Sequence, residues 1–369
     1  MKQSCLLYRK TVNFLLLFVS LTLSTATILR AEGSLFTEVD PQTLTLNATQ
    51  QSIVNYFSNL PYNAGLKYVL VENLATIQEN GVVSFTIPGF ETSALTFTNV
   101  DVQYNTASDY TWLGQLDLAQ GELTFYAKPE GYGGTIDLGT KLYSINTLGG
   151  NLALIMKPDL TAYPPGKCGS DSASDAEATD FCAVDDCGGS VVDVLVLTTP
   201  AAAAIMSTLW GNLADFYLWQ GTHSINDALV LSGIPNKRVR LQYLSFVPGF
   251  TLTTNPINDV DSLSVDPTTL SFFNTNRVDI IVMLTNQIYR DQNGNRVFGI
   301  ANSASPTSTN KFCIVEAGFL LDPRYTFAHE VAHQFGCPSH RRQHRRCLRT
   351  CSRPRFTRRL KSSHHPWAI

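Results

Sequence analysis

The chain has 369 residues, 44% of them hydrophobic and 15% charged. That balance excludes a disordered or collagen-like polymer and suits one large domain or two of ordinary size. The net charge of −3 averages two unlike parts: residues 1–336 carry 17 Lys/Arg against all 30 Asp/Glu, while residues 337–369 carry 10 Lys/Arg and no acid.

Residues 1–31 read as a secretory signal peptide. Lys2, Arg9 and Lys10 give a positive start, Val12 to Leu23 is mostly apolar, and small residues follow at Ser24-Thr25-Ala26 and Ala31. The apolar stretch falls short of the roughly 20 residues of a membrane span. The mature chain is therefore expected to be secreted and extracellular, with no membrane attachment once the signal is removed. Export permits disulfides. With Cys5 in the signal, seven cysteines remain: Cys168, Cys182, Cys187, Cys313, Cys337, Cys347 and Cys351. An odd count leaves at least one thiol without an intramolecular partner.

Residues 32–165 alternate in short segments cut by turn residues. Val82 to Ile87, Leu95 to Phe97, Leu123 to Tyr126 and Leu142 to Ile145 have the pattern of strands. Gly131-Tyr132-Gly133-Gly134 reads as a turn, and it lacks the Lys-Ser/Thr ending of a phosphate-binding loop. This half is expected to be a β-rich region with no catalytic cluster. Residues 166–190 are rich in Ser, Asp, Ala and Gly and hold three cysteines. They read as an exposed linker that proteases cut easily.

The pattern then changes. Val191 to Leu197 is a near-continuous apolar run, as in a strand covered on both faces. Ala201 to about Asn226 has helical spacing, Val278 to Leu284 is a second buried strand, and Phe312 to Phe319 a third. Asp291 to Asn295 has a superficial likeness to a calcium loop but lacks its distal Glu, so a hairpin turn at Asn293-Gly294 is the better reading. Strands mixed with helices point to an α/β layer arrangement from Val191 onward.

The chemistry lies in Asp322 to Gly336. Asp322 suits an N-cap, Pro323 the first helical position and Gly336 a left-handed stop. Phe327, Val331 and Phe335 recur every four residues and are expected to anchor one face in the core. His329 and His333, also four apart, project together from another face and can share one zinc ion. Glu330, between them, points to a flank where it reaches a water activated by the metal rather than the metal itself. It would act as general base on that water and then as proton donor to a departing amine.

The run His329-Glu330-Val331-Ala332-His333-Gln334-Phe335-Gly336-Cys337 resembles the metzincin signature H-E-x-x-H-x-x-G-x-x-H/D, and is most similar to that of the reprolysin-like secreted metallopeptidases. The resemblance implies an α/β (α+β) catalytic domain over residues 191–336, with a mixed sheet and an active-site helix. It also implies that residues 32–165 are propeptide-like. Gly336 matches the signature, but the third-ligand position holds Ser339. His340, one residue later, is the expected third zinc ligand, through a one-residue bulge. The family's Met-turn has no counterpart, because Met1, Met156, Met206 and Met283 all precede the helix. The basic tail, residues 337–369, is read as a slip of reading frame or aberrant splice. A nucleic-acid-binding arm and a second metal site using Cys337, Cys347 and Cys351 remain weaker readings.

Cys168 loosely resembles the inhibitory thiol of such proenzymes, with a disulfide to Cys182 or Cys187 as the competing reading; Cys313 with Cys337 would be a second bridge. Gly299 to Asn302 is expected to belong to the edge strand that pairs with an extended substrate in this family. The expectation is thus a secreted zinc metalloendopeptidase precursor, monomeric, acting on proteins or peptides and not on nucleic acid. A relic that lacks a proper third ligand and an extracellular β-rich adhesion module are the alternatives.

Overall fold

The computed structural model describes residues 34–78, 80–116, 121–162, 166–168, 191–231, 238–244, 250–276, 278–302, 311–321 and 325–335. The first sheet is antiparallel throughout. Its strands are β1 (Phe36–Glu38), β2 (Asn63–Val71), β3 (Val82–Phe85), β4 (Leu95–Thr106), β5 (Asp109–Leu116), β6 (Glu122–Lys128), β7 (Gly131–Asp137), β8 (Leu142–Gly149) and β9 (Leu152–Pro158). They lie in the order β1-β2-β9-β8-β7-β6-β5-β4-β3, a meander from β3 to β9 with β2 folded back beside β9.

Successive side chains of a strand face opposite sides, and both sides of this sheet are covered. Leu123, Phe125, Ala127, Ile136, Tyr143, Ile145, Ala153 and Ile155 enter a core of the sheet's own, closed by Phe36, Leu74 and Phe97. Leu148, Leu154 and Met156 point the other way, into a second core shared with the rest of the chain. Helix α1 (Ala48–Ser58) lies on that side. It starts from a capping box in which Asn47 and Gln50 accept each other's backbone N–H, and it buries Ile53, Val54 and Phe57.

The second sheet comprises β10 (Gly166–Cys168), β11 (Val191–Thr198), β12 (Arg238–Leu244), β13 (Ile280–Thr285), β14 (Tyr289–Arg290), β15 (Arg296–Ala301) and β16 (Phe312–Glu316). Its order is β10-β15-β16-β13-β11-β12, with β14 paired to β15. The β12, β11, β13 and β16 strands run parallel, β15 is antiparallel to β16, and β10 adds in parallel at the edge. The apolar run of β13 is buried at every position, as expected where helices cover both faces. One face meets α4 (Pro256–Val265) and α5 (Pro267–Asn276) through Val260, Leu263 and Leu270. The other meets α2 (Pro200–Trp210), α3 (Ala214–Leu231) and α6 (Thr326–Gln334). Helices α2 and α3 therefore lie between the two sheets. This is a mixed α/β molecule, and its largest core does not stop at the boundary between the halves.

Several sequence expectations are corrected. The helix from Ala201 is two helices, because Gly211 ends α2 with φ +51. The strand from Phe312 stops at Glu316 and passes into a 3-10 turn. Gly131 to Gly134 is not a turn but the start of β7, and Gly133 there pairs with Tyr126. A Cβ on Gly133 would overlap the Gln220 amide and lie 3.1 Å from the Phe216 ring, so glycine is what lets α3 approach the sheet. Asp291 to Asn295 closes the β14–β15 hairpin, with the Asp291 carboxylate accepting from the backbone N–H of Asn293 and Asn295. Among the described residues no helix is long and apolar enough to cross a membrane; the signal segment lies outside them.

Candidate metal centre

Helix α6 begins at Thr326; Asp322 and Pro323, the cap and first helical position expected from sequence, lie outside the described residues. Tyr325 has φ +58 and ψ +45. A residue in that left-handed region cannot continue a right-handed helix, so the first turn starts after it. Its carbonyl accepts from His329 N–H at 2.8 Å. The Tyr325 hydroxyl shares a hydrogen bond of 3.0 Å with Thr135 on β7 of the first sheet, and burial pushes the phenol pKa up. Phe327 and Val331 are fully buried in the shared core with Phe335 packed against it, as the four-residue spacing implied. Two contacts from β16 fix the helix from the side. The Cys313 thiol donates to the Glu330 carbonyl at 3.3 Å, and the Gln334 amide donates to the Phe312 carbonyl at 3.2 Å.

One helical turn apart, the His329 and His333 rings stand 4.6 Å between centroids and nearly perpendicular. Their Nε2 atoms are 3.1 Å apart. Zinc–nitrogen bonds of about 2.0–2.1 Å at a tetrahedral angle separate two donor nitrogens by about 3.4 Å. The pair is thus already spaced to share one ion, and the two imidazoles fit zinc as two of its donors. His333 is 2% exposed while His329 is partly open to solvent. Among the described residues no group of three or more His, Cys, Asp or Glu forms a metal cluster. His340, the expected third ligand, lies outside the described residues, as do Gly336 and the whole tail.

Glu330 is 1% exposed and turns toward β15. Its side chain rests on Gly299: a Cβ built there would sit 2.6 Å from Glu330 Cγ and 2.8 Å from Oε1. A real Cβ would displace the carboxylate. An isolated glycine in the apolar run Val297-Phe298-Gly299-Ile300 signals a close approach of this kind. Gly299 to Ala301 pair with β16, but β15 is the second strand of the sheet and not its edge, which corrects the expectation for this segment. On the outer side of β15 lies β10. There Lys167 pairs with Val297 and Cys168 with Gly299, Phe298 being skipped as a bulge. The backbone of Cys168 is therefore one strand away from the glycine under Glu330. The expected pairings of Cys168 with Cys182 or Cys187, and of Cys313 with Cys337, reach residues outside the described set.

Sequence reading missed two supports of the site. Tyr325 is invisible locally, because its role depends on Thr135, 190 positions away. The Cys313 and Gln334 tethers likewise join a strand to a helix side by side, and no spacing rule encodes them.

No protein-family model matches the chain, and no curated protein matches it either. Among solved structures, the crystal structure of metalloproteinase-II from Bacteroides fragilis is similar with a TM-score of 0.44 at 12% identity, over 72% of this chain and 83% of that one. A chain from the structure of a chaperone-substrate complex is similar with a TM-score of 0.29 at 15% identity, over 39% of this chain and 26% of that one. Likenesses at this level leave the functional reading to the chain's own residues.

Proposed function

We propose that the chain is the precursor of an exported zinc-dependent endopeptidase of metzincin type. His329 and His333 hold the ion, His340 completes the set, and Glu330 is the general base. The observation that carries this reading is the 3.1 Å approach of the two Nε2 atoms on a helix whose intervening carboxylate is buried against β15. Bound there, zinc would supply a Lewis acid for the substrate carbonyl and lower the pKa of an attacking water. Glu330 would serve as the proton acceptor for that water and the proton donor to the departing amine. Its seat on Gly299 keeps the carboxylate out of bulk solvent.

Protein or peptide substrates would lie extended along β15, using backbone hydrogen bonds. The β10 strand covers that edge, which agrees with a latent form in which the Cys168 thiol acts as inhibitor. The test compares zinc content and casein cleavage for the wild type and Glu330→Gln. Loss of the base should cut cleavage by about 10²–10⁴-fold while zinc content stays unchanged. Equal cleavage by the two proteins would remove Glu330 from the chemistry.

A further inference from the structure

We infer that the first sheet is a permanent partner of α3: when the chain is cut between residues 169 and 190, the N-terminal fragment stays seated on the helix face formed by Phe216, Tyr217, Gln220, His223 and Asp227. This does not rest on the peptidase reading. It differs from the removable region that a propeptide-like assignment implies.

The argument starts from what separation would expose. Trp210, Leu213, Phe216 and Tyr217 on the second half share one buried cluster with Ile53, Phe57, Leu148, Leu154 and Met156 on the first. Phe57 and Tyr217 pack ring to ring at 6.3 Å, as do Tyr56 and Trp210. Polar contacts fix the register. The Tyr217 hydroxyl donates to the Thr147 carbonyl at 2.6 Å, and Arg238 donates to Asp101 at 2.9 Å. Tyr126 meets Trp219 edge-on, and the Lys128 ammonium lies 4.2 Å over that indole. By contrast β10, the part of the chain nearest the cut, contributes three residues of pairing. Hydrophobic burial on this scale dominates such a comparison, so one broken peptide bond in the connection does not undo it.

Within the interface sits a buried polar pair. The Tyr126 hydroxyl donates to Asp227 Oδ2, while Asp227 Oδ1 and His223 Nε2 are buried without partners among the described residues. Burial, opposed by Tyr126, raises the Asp227 carboxyl to about 7, with Asp101 raising it further and Arg238 lowering it. Burial, then Lys128 and Arg238, lowers His223 to about 4, against a small opposing effect of Asp109. Tyr325 also faces the pair. The signs oppose. Asp227, raised, favours docking fully below its free value near 3.8, and this is lost as pH rises through 7. His223, lowered, favours docking above its free value near 6.5, and this is lost as pH falls through 4. The two offset each other across mildly acidic pH, so retention in the wild type is nearly flat there.

A protease recognition sequence placed between residues 170 and 189 of the full chain tests both parts. After cutting, size exclusion at submicromolar concentration should give one peak holding both fragments, and two separate peaks would overturn the inference. That arm needs no other substitution. The second arm reads fragment affinity relative to wild type between about pH 5 and pH 7. Asp227→Asn should tighten over that range by about tenfold or more, and His223→Gln should weaken by about tenfold or more. If both variants follow the wild type at every pH, the compensating pair is wrong. If they diverge as stated, it stands.

Discussion

The two sheets of this molecule solve burial differently. The antiparallel sheet puts aromatic and aliphatic side chains into its own core on one face, and on the other offers Thr124, Tyr126, Ser144 and Asn146, all buried, together with the Thr147 carbonyl, to the helices. The mixed sheet is apolar on both faces, with helices on each. The first therefore docks through directed hydrogen bonds and ring contacts, which specify one register. The second packs by volume and leaves chemistry to a helix laid across its rim. Among the described residues the candidate site is built on α6 and β15, and the first sheet reaches it through the Thr135–Tyr325 hydrogen bond.

The comparison breaks if the halves are independent, and the largest expected effect tests this. Trp210→Ala removes a fully buried indole that packs on Tyr56 of the first half and Tyr217 of the second. Truncations of this kind cost about 3–5 kcal/mol. Urea unfolding followed by a probe in each half should show one shared transition moving to lower denaturant. If the first sheet keeps its own unshifted midpoint, the shared core is not a cooperative unit.

Next in size is the rim of the second sheet. Gly299→Ala places a methyl group within 2.6 Å of Glu330 Cγ, on a strand backbone that cannot retreat from α6 without disturbing β16. Overpacking of this kind costs about 1–3 kcal/mol. The collision is with one side chain, so Glu330→Ala in the same molecule should return most of the loss. A double-mutant cycle of unfolding free energies measures that coupling. Additive losses would mean that the glycine serves the strand alone and not the carboxylate.

How much of this was legible depended on how local the cause was. The adjacency of the two imidazoles and the burial of the stripe Phe327–Val331–Phe335 follow from helical spacing alone; the seat of Glu330 on Gly299 does not, because the strand it meets lies elsewhere in the sequence. Nor does the start of the helix, since the left-handed turn at Tyr325 is held by a partner on the other sheet. The glycines of β7 read locally as a turn because their cause, the closeness of Gln220 and Phe216, is tertiary. Helix α1 is a different failure. Asn47 and Gln50 spell out a capping box three residues apart, yet the alternating segments that follow drew the whole region toward strands.

The smallest predicted effect concerns that same cap and sharpens the comparison most. Asn47 Oδ1 accepts from Gln50 N–H at 2.9 Å, and Gln50 Oε1 accepts from Asn47 N–H at 2.9 Å. Both contacts are exposed, so water replaces what Asn47→Ala removes, and the loss should be about 1 kcal/mol. The helix it starts buries Ile53, Val54 and Phe57 in the core that α2 and α3 also fill. The destabilisation should therefore reach the unfolding midpoint of the second half undiminished. Hydrogen exchange that rises only at residues 48–51, with that midpoint unmoved, would mean that α1 frays locally and that the bond between the halves runs through the strand contacts of Tyr126 and Thr147 instead.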